Sequence, residues 1–224
     1  MHFNGSPVTF EESARLNLNT EIGFHLAKDL HPLVDDLLSG AAAEEIAQLA
    51  ASLENEGYHL RISRDLETAK QYLKERYREH LDARFGLIAS SKDKDLTHFG
   101  IANDFQSTKR LNYGPWYGEA ESDARSCRHL ESVVTEFGAQ GLELDAVLLA
   151  WGTDFMLIDN RWSDAKARGY LRSAHVRDPF QLRVNAYRVL LTCGRDATVV
   201  FVPPLPELDE TYRYLMASGF RLLE

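Results

Sequence analysis

The chain has 224 residues, 44% of them hydrophobic, and a formal net charge of −9, which is the composition of an ordinary soluble domain. This length can bury one substantial core, or one core plus a small appendage. No apolar run approaches the ~18 residues of a membrane helix, so no membrane partner is expected. The 34 acidic residues against 25 basic ones count against tight autonomous binding to nucleic acid, but they leave room for a local basic groove.

The first residues and the cysteines both indicate a cytoplasmic protein. Residues 1–7 have neither the basic region nor the apolar core of a signal peptide. Cys127 and Cys193 are the only cysteines, so no disulfide framework is expected. Cys127 and His129 are too close together and too isolated to form a convincing zinc half-site. We therefore predict no metal site.

Apolar residues at helical spacing predict helices early in the chain and at its end. The stripes lie at 24–38, 46–53, 66–77 and 208–215. Ser39-Gly40 closes the first helix, and Ser63 or Asp65 caps the third. The last helix starts after the proline-rich segment 203–206.

Short apolar or alternating runs predict strands between these helices. They lie at 58–62, 85–89, 130–137, 146–151 and 198–202. The alternation of strands and helices favours an α/β fold with a mainly parallel, doubly wound sheet and helices on both faces. The last two runs are apolar throughout, as in strands covered on both faces, so we predict that they are interior. We expect one domain over 1–224, with irregular surface insertions near 92–126 and 159–179.

The segment 135–145 is a polar, glycine-punctuated turn that leads into the predicted strand at 146–151. Gly138 and Gly141 would let the backbone approach a phosphate or a base closely. Gln140 and Glu143 bring polar groups to the same end of the strand. The segment is either a ligand-binding loop or a turn with solvated acids.

Three segments resemble helicase motifs. Residues 140–145, Gln-Gly-Leu-Glu-Leu-Asp, resemble motif V of superfamily 1 helicases, where such an element contacts nucleotide sugar and nucleic acid. Residues 185–196 resemble motif VI, and the expected apolar strand follows at 198–202. The segment 84–91 adds a third match. In this order they resemble the second RecA-like domain of the Schlafen-group-3-like DNA/RNA helicase family, a family of largely unassigned function, and the resemblance runs from about Leu18 to the C-terminus.

The resemblance implies two sets of binding residues and no catalytic residue, because this half of a motor supplies no nucleophile or general base. The predicted nucleotide-binding residues are Gln140, Gly141, Glu143, Arg188 and Arg195. The predicted nucleic-acid-binding residues are Ser90, Ser91, Thr135 and Trp151. The resemblance also makes 187–192 a helix, although the propensities favour a strand, and Gly194 fits the end of that helix.

Each of these residues also has a plain structural interpretation. Glu143 is either a contact for the nucleotide sugar or a solvated carboxylate. Ser90-Ser91 either donates to a phosphate or caps the next helix. Trp151 either stacks on a base or belongs to the core. Trp116 and Tyr117, in the irregular segment, are either stacking residues or loop anchors.

The chain departs from a working motor in two ways. It contains no Gly-Lys dipeptide, and thus no Walker A loop, while Asp209-Glu210 indicates an ordinary helix start. Family members carry arginine where Cys193 stands in motif VI and where Gly23 stands in motif IV. No neutral residue replaces the planar, permanent charge of a guanidinium. If the domain descends from a working motor half, both positions should face an open cleft; alternatively, Cys193 has been absorbed into a repacked core. We predict that the isolated chain does not hydrolyse ATP.

Two functions remain open from the sequence. The first is the C-terminal half of a superfamily 1-like DNA/RNA helicase or nucleic-acid-dependent NTPase, which binds ATP and Mg²⁺ only when a partner chain or a longer gene product supplies the Walker A half. The second is a non-catalytic RecA-like binding module that has lost NTP hydrolysis. Either would bind single-stranded DNA or RNA weakly. Met1 lying inside the family domain suggests a truncated or split gene.

Overall fold

The computed structural model describes residues 28–170 and 176–223, together with the backbone of a short antiparallel pair, β1 (His2–Phe3) and β2 (Ser6–Pro7). The start of the predicted first helix and the motif IV match at 21–25 lie outside the described residues. So does Gly23, and its predicted open cleft stays a prediction.

A six-stranded sheet, parallel throughout, forms the centre of the described structure. Its strands are β3 (His59–Ser63), β4 (Phe85–Ala89), β5 (Val133–Thr135), β6 (Leu144–Ala150), β9 (Gly194–Phe201) and β10 (Arg221–Leu222). Their order across the sheet is β10-β3-β9-β6-β4-β5. β6 and β9 are therefore interior neighbours, as their apolar runs predict.

Helices cover both faces of this sheet. They are α1 (Leu30–Ser39), α2 (Ala43–Asn55), α3 (Leu66–Arg76), α4 (Phe105–Thr108), α5 (Tyr113–Gly118), α6 (Glu136–Ala139), α7 (Pro179–Leu191) and α8 (Asp209–Ala217). Side chains of β6 alternate between two cores, since Val147 and Leu149 pack with α1, α2, α7 and α8 whereas Ala146 and Leu148 pack with α3. The predicted RecA-like α/β architecture is confirmed. None of the described helices combines the length and apolar character needed to cross a membrane.

The helix ends follow local capping chemistry. Gly40 adopts φ 76° and closes α1. Asp65, not Ser63, caps α3, because its carboxylate accepts the Thr68 amide at 2.6 Å. α7 confirms the helix that the motif VI resemblance implies. Gly194 does not end that helix, however; it opens β9, where a Cβ atom would lie 2.4 Å from the Ala197 carbonyl oxygen.

The segment 92–126 is less irregular and less exposed than the sequence predicts. It contains α4, α5 and a 3₁₀ turn at Leu96–Phe99. Trp116 of α5 is 1% exposed and lies against β4, where a Cβ atom on Gly86 would come within 2.6 Å of the indole ring. Trp116 is therefore a loop anchor, which docks the whole segment onto the sheet.

Two further differences concern strands. The predicted strand over 130–137 is shorter, because Leu130 takes a left-handed conformation (φ 58°) and the chain turns into α6 at Glu136. In the second predicted insertion, β8 (Arg161–Ser163) pairs with β7 (Met156–Ile158) as an antiparallel hairpin. Its Trp162 ring stacks on Phe155 with centroids 4.6 Å apart.

Candidate functional site

Apart from Arg188, the two sets of predicted binding residues lie at opposite edges of the parallel sheet. We call the edge where the strands begin the amino edge and the edge where they end the carboxyl edge. The nucleotide-binding candidates near the amino edge are Gln140, Gly141, Glu143 and Arg195. The nucleic-acid-binding candidates at the carboxyl edge are Ser90, Ser91, Thr135 and Trp151.

The pairing of β6 with β9 brings motifs V and VI together at the amino edge. The Leu144 amide donates to the Cys193 carbonyl at 3.0 Å, so Glu143 lies beside the start of β9. The Arg195 guanidinium is 3.7 Å from the Glu143 carboxylate, and both side chains keep more than a third of their surface exposed. Gly141 adopts φ 79°, a conformation that favours glycine, and turns the loop toward β6.

Cys193 is buried at this edge, which contradicts the expected open cleft. The side chain is 7% exposed, and its thiol donates to the Val189 carbonyl at 2.9 Å. The Ala139 carbonyl of α6 lies 3.6 Å from the same sulfur. Burial raises the pKa of the Cys193 thiol to about 12, so the thiol stays protonated at neutral pH. Because α6 and α7 both cover this position, it has no open space for a guanidinium.

Arg188 does not join the amino-edge residues. It lies about one helical turn before the end of α7, and its Nε donates to the Asp35 carboxylate of α1 at 2.9 Å. Its Nη1 donates to the Asn185 side chain. Arg188 lines a groove of about 450 Å³ between α1, α7 and the β8 hairpin. The structure therefore gives this arginine a bridging role between two helices.

A buried charged cluster occupies the carboxyl edge. Its centre is Arg183 of α7, which is 2% exposed. The Arg183 guanidinium donates to the Ser90 hydroxyl at 2.7 Å and lies 3.2 Å from both the Asp154 and the Glu136 carboxylates. Ser90 in turn donates to Asp154. These groups follow β4, β5 and β6, so one guanidinium ties together the ends of three neighbouring strands.

The serines predicted to meet a phosphate are engaged within this cluster. Glu136 accepts the backbone amide and the hydroxyl of Ser91, each at 2.8 Å. Ser90 is fully buried, Thr135 is 4% exposed and Ser91 is half-buried. A phosphate contact at Ser90 would require the cluster to open, whereas Ser91 retains some exposed surface. Nucleic-acid contact by Ser91 and Thr135 stays a prediction.

Asp154 is an unusual member of the cluster because burial raises the pKa of its carboxyl to about 6. The hydrogen bonds from Ser90 and Tyr187 oppose that shift, and the Tyr187 hydroxyl donates at 2.8 Å. Asp93, also fully buried, accepts the Thr153 amide at 2.7 Å. Burial therefore favours the protonated form of Asp154 more than it is favoured in a solvated aspartate.

The structure contradicts the predicted base-stacking role of Trp151. The side chain is fully buried, and its ring lies 4.6 Å from Tyr187 and 5.6 Å from Trp162, measured between ring centroids. Its indole nitrogen donates to the Phe155 carbonyl at 2.6 Å. Trp151 follows an interior strand, so α7 and the hairpin close over it. It is a core residue.

A comparison with known protein families identifies the family of this chain. The family model for the Schlafen group 3 DNA/RNA helicase domain matches residues 3–204. The chain belongs to this family. The matched range contains the candidate residues at both edges of the sheet. Comparisons with curated proteins and with solved structures found no match.

The amino edge of this helicase domain presents an accessible carboxylate and an accessible guanidinium side by side. The Glu143 carboxylate can accept hydrogen bonds from sugar hydroxyls, and the Arg195 guanidinium can donate to phosphate oxygens. Both are accessible. Neither is placed to act as a nucleophile, and the loop that would hold the β- and γ-phosphates has no counterpart in the sequence.

Sequence reasoning missed the centre of the carboxyl-edge cluster in this helicase domain. Glu136 belongs to the glycine-punctuated segment itself, and Asp154 comes shortly after the apolar run at 146–151. Their positions in the sequence therefore pointed to the end of a strand, where a site is expected. Arg183 carried none, because an arginine in the first half of an amphipathic helix is normally solvated. Only the pairing of strands that are distant in sequence shows that it is buried.

Proposed function

We propose that this helicase domain is the second RecA-like half of a nucleic-acid-dependent NTPase and works only with a separate Walker A half. The observation that carries the proposal is the convergence of Glu143 and Arg195 at an exposed position on the amino edge, between motifs V and VI. A nucleotide held by another half would find an acceptor for its sugar and a donor for its phosphates there. ATP and Mg²⁺ would arrive with that other half.

Arg195 is the candidate that replaces the missing motif VI arginine. It lies two residues after Cys193, at the start of β9, and its guanidinium is paired only loosely with Glu143 at 3.7 Å. An exposed pair of this kind contributes little to stability, so the guanidinium can exchange Glu143 for a phosphate at low cost. An arginine finger that reaches the γ-phosphate is worth roughly 10³–10⁵ in rate in GTPases.

The experiment is a complementation assay. The chain is fused to, or mixed with, the Walker A half of a Schlafen group 3 relative, and ATP turnover is measured with and without single-stranded DNA. We expect turnover that neither half shows alone. Glu143→Ala and Arg195→Gln in this chain should reduce that turnover, whereas Arg213→Gln, which removes the same charge from α8, should leave it unchanged.

A second candidate function is a non-catalytic RecA-like module, and the burial of Cys193 favours it. A motor half needs its motif VI position open to the cleft, but α6 and α7 cover Cys193. Assembly with the Walker A half in the absence of any DNA-stimulated turnover would support this module. It would also mean that the amino edge has lost its role in hydrolysis.

A further inference from the structure

The proposed nucleotide contact Glu143 lies on a short loop at the protein surface. The loop, residues 140–143, connects α6 to β6, and most of its residues are exposed. The Leu142 amide donates to the Ala139 carbonyl at 3.0 Å, which closes the turn. An exposed loop with few contacts opens easily, and a mobile carboxylate binds a ligand less tightly than a fixed one. The position of Glu143 therefore depends on what else holds this loop.

A tyrosine from the segment 92–126 reaches the loop. The Tyr117 hydroxyl donates to the Glu143 carbonyl oxygen at 2.8 Å, from a position 26 residues earlier in the chain. The bond uses the backbone of Glu143, so the carboxylate stays available to Arg195 or to a ligand. Tyr117 therefore restrains this residue without competing for the group that would contact a nucleotide.

The Tyr117 ring is itself held in place by several contacts. It belongs to α5, whose Trp116 is buried against β4 at Gly86. The guanidinium of Arg84, which precedes β4, lies over the ring, 5.5 Å from its centroid. The ring is half-buried and packs against the same core as Leu142 of the loop. Because the ring is held in this way, its hydroxyl is a fixed donor.

These contacts join the starts of three neighbouring strands. Arg84 precedes β4, Glu143 precedes β6 and Arg195 lies at the start of β9, and these strands are adjacent in the sheet. The Arg84 amide donates to the Asp145 carboxylate at 2.6 Å, and the Asp145 amide donates to the Arg84 carbonyl at 2.7 Å. The residue beneath which the Tyr117 ring lies is thus tied to the strand that Glu143 enters.

We infer that Tyr117 is a positioning residue of the amino edge. Its hydroxyl holds the loop so that the Glu143 carboxylate stays beside Arg195, and a nucleotide that meets Glu143 there does not have to order the loop first. This gives the segment 92–126 a function, since α5 supplies the hydroxyl. The inference rests on the proposed function for the identity of the ligand, whereas the restraint on the loop is a property of this chain alone.

The first measurement is amide hydrogen exchange of the chain alone, followed residue by residue by NMR. Tyr117→Phe removes the hydroxyl and keeps the ring, so the melting temperature should stay close to that of the parent. The amides of Leu142 and Leu144 should exchange faster by a factor of ~3–10, the effect of losing one neutral hydrogen bond. Tyr212→Phe on α8 is the matched control, because that ring also lies under an arginine, Arg64, at 4.5 Å. It should change neither rate.

The second measurement is the complementation assay with the Walker A half, at varied ATP concentration. In Tyr117→Phe the KM for ATP should rise by a factor of ~3–10 with kcat unchanged, because a sugar contact is made equally in the bound substrate and in the transition state. A mere loss of folded protein would instead lower the apparent kcat and leave KM as it was. In a Glu143→Ala background, Tyr117→Phe should have little further effect, since it acts through Glu143.

Three results would overturn the inference. The first is unchanged exchange of the Leu142 and Leu144 amides in Tyr117→Phe, whether or not the assay yields turnover. The second is a lower kcat at unchanged KM, and the third is an equally large effect of Tyr117→Phe in the Glu143→Ala background. A parent chain that shows no turnover with the Walker A half would overturn the proposed function instead, and the exchange rates would still decide whether Tyr117 holds the loop. The two proposals therefore fail separately.

Discussion

At the scale of single residues, two buried side chains matter most, Cys193 and Arg183. Cys193 replaces the motif VI arginine and is covered by α6 and α7. Arg183 is buried among carboxylates and holds the ends of three strands. The first is where the sequence departs from the motif VI pattern that the helicase resemblance leads us to expect. The second shows that its carboxyl edge is built as a closed, charged core.

Restoring the motif VI arginine should damage the fold. In Cys193→Arg a guanidinium would enter a buried site where the cysteine sulfur now contacts the Val189 and Ala139 carbonyls. We expect the free energy of unfolding to fall by roughly 3–5 kcal/mol, the usual cost of an uncompensated buried charge. Urea denaturation measures it. The exposed Gln140→Arg, at the same edge, is the control and should stay within about 0.5 kcal/mol. If Cys193→Arg were as stable as Gln140→Arg, position 193 would have to face an open cleft.

The buried Asp154 should give stability a specific pH dependence. Its pKa rises from 3.8 to about 6 in the folded protein, so the folded state binds more protons than the unfolded state between those values. The free energy of unfolding contributed by Asp154 therefore falls as pH rises through that window. Asp154→Asn should remove this contribution, whereas the exposed Asp82→Asn should not. Parallel stability–pH curves for the parent and Asp154→Asn would contradict the assignment.

At the scale of elements, the segment 92–126, which the sequence predicts to be irregular, packs on the sheet at β4 and β5. Trp116 anchors α5 on β4, and the short helices α4 and α6 lie on β5. A local pattern could not predict this docking. The segment 92–126 has the composition of a loop, and its order depends on contacts with residues outside it, among them the indole of Trp116 fitted against Gly86.

The contact between Gly86 and Trp116 can be tested with one methyl group. In Gly86→Ala the new Cβ atom would lie 2.6 Å from the indole, which forces the ring or the strand to move. We expect a loss of about 1–3 kcal/mol, as in other overpacked cores, together with a change in tryptophan fluorescence. Gly118→Ala, at the end of the same helix α5, has no atom within 4 Å and should be neutral. A neutral Gly86→Ala would mean that α5 is not docked as described.

At the scale of the whole molecule, the parts that could be predicted are those with a local signal. The interior positions of β6 and β9 follow from apolar runs, and the motif VI resemblance placed α7 where propensity favoured a strand. The division of the binding residues between the two edges depends on the relative direction of the paired strands, which cannot be predicted from any single segment. The same holds for Trp116 and Trp151: the local pattern leaves a stacking and a packing role open for both, and only the folded structure shows that they are buried.

The central proposal is that this helicase domain contributes nucleotide contacts but does not hydrolyse ATP by itself. The most direct measurement is ATP turnover by the purified chain alone, with Mg²⁺ and single-stranded DNA present. We predict no turnover above background, because no phosphate-binding loop is present and Cys193 replaces the expected arginine. Turnover near ~1 per second or faster, in the range of real enzymes, that disappears in Glu143→Ala would contradict the account, because it would place a complete active site within this chain.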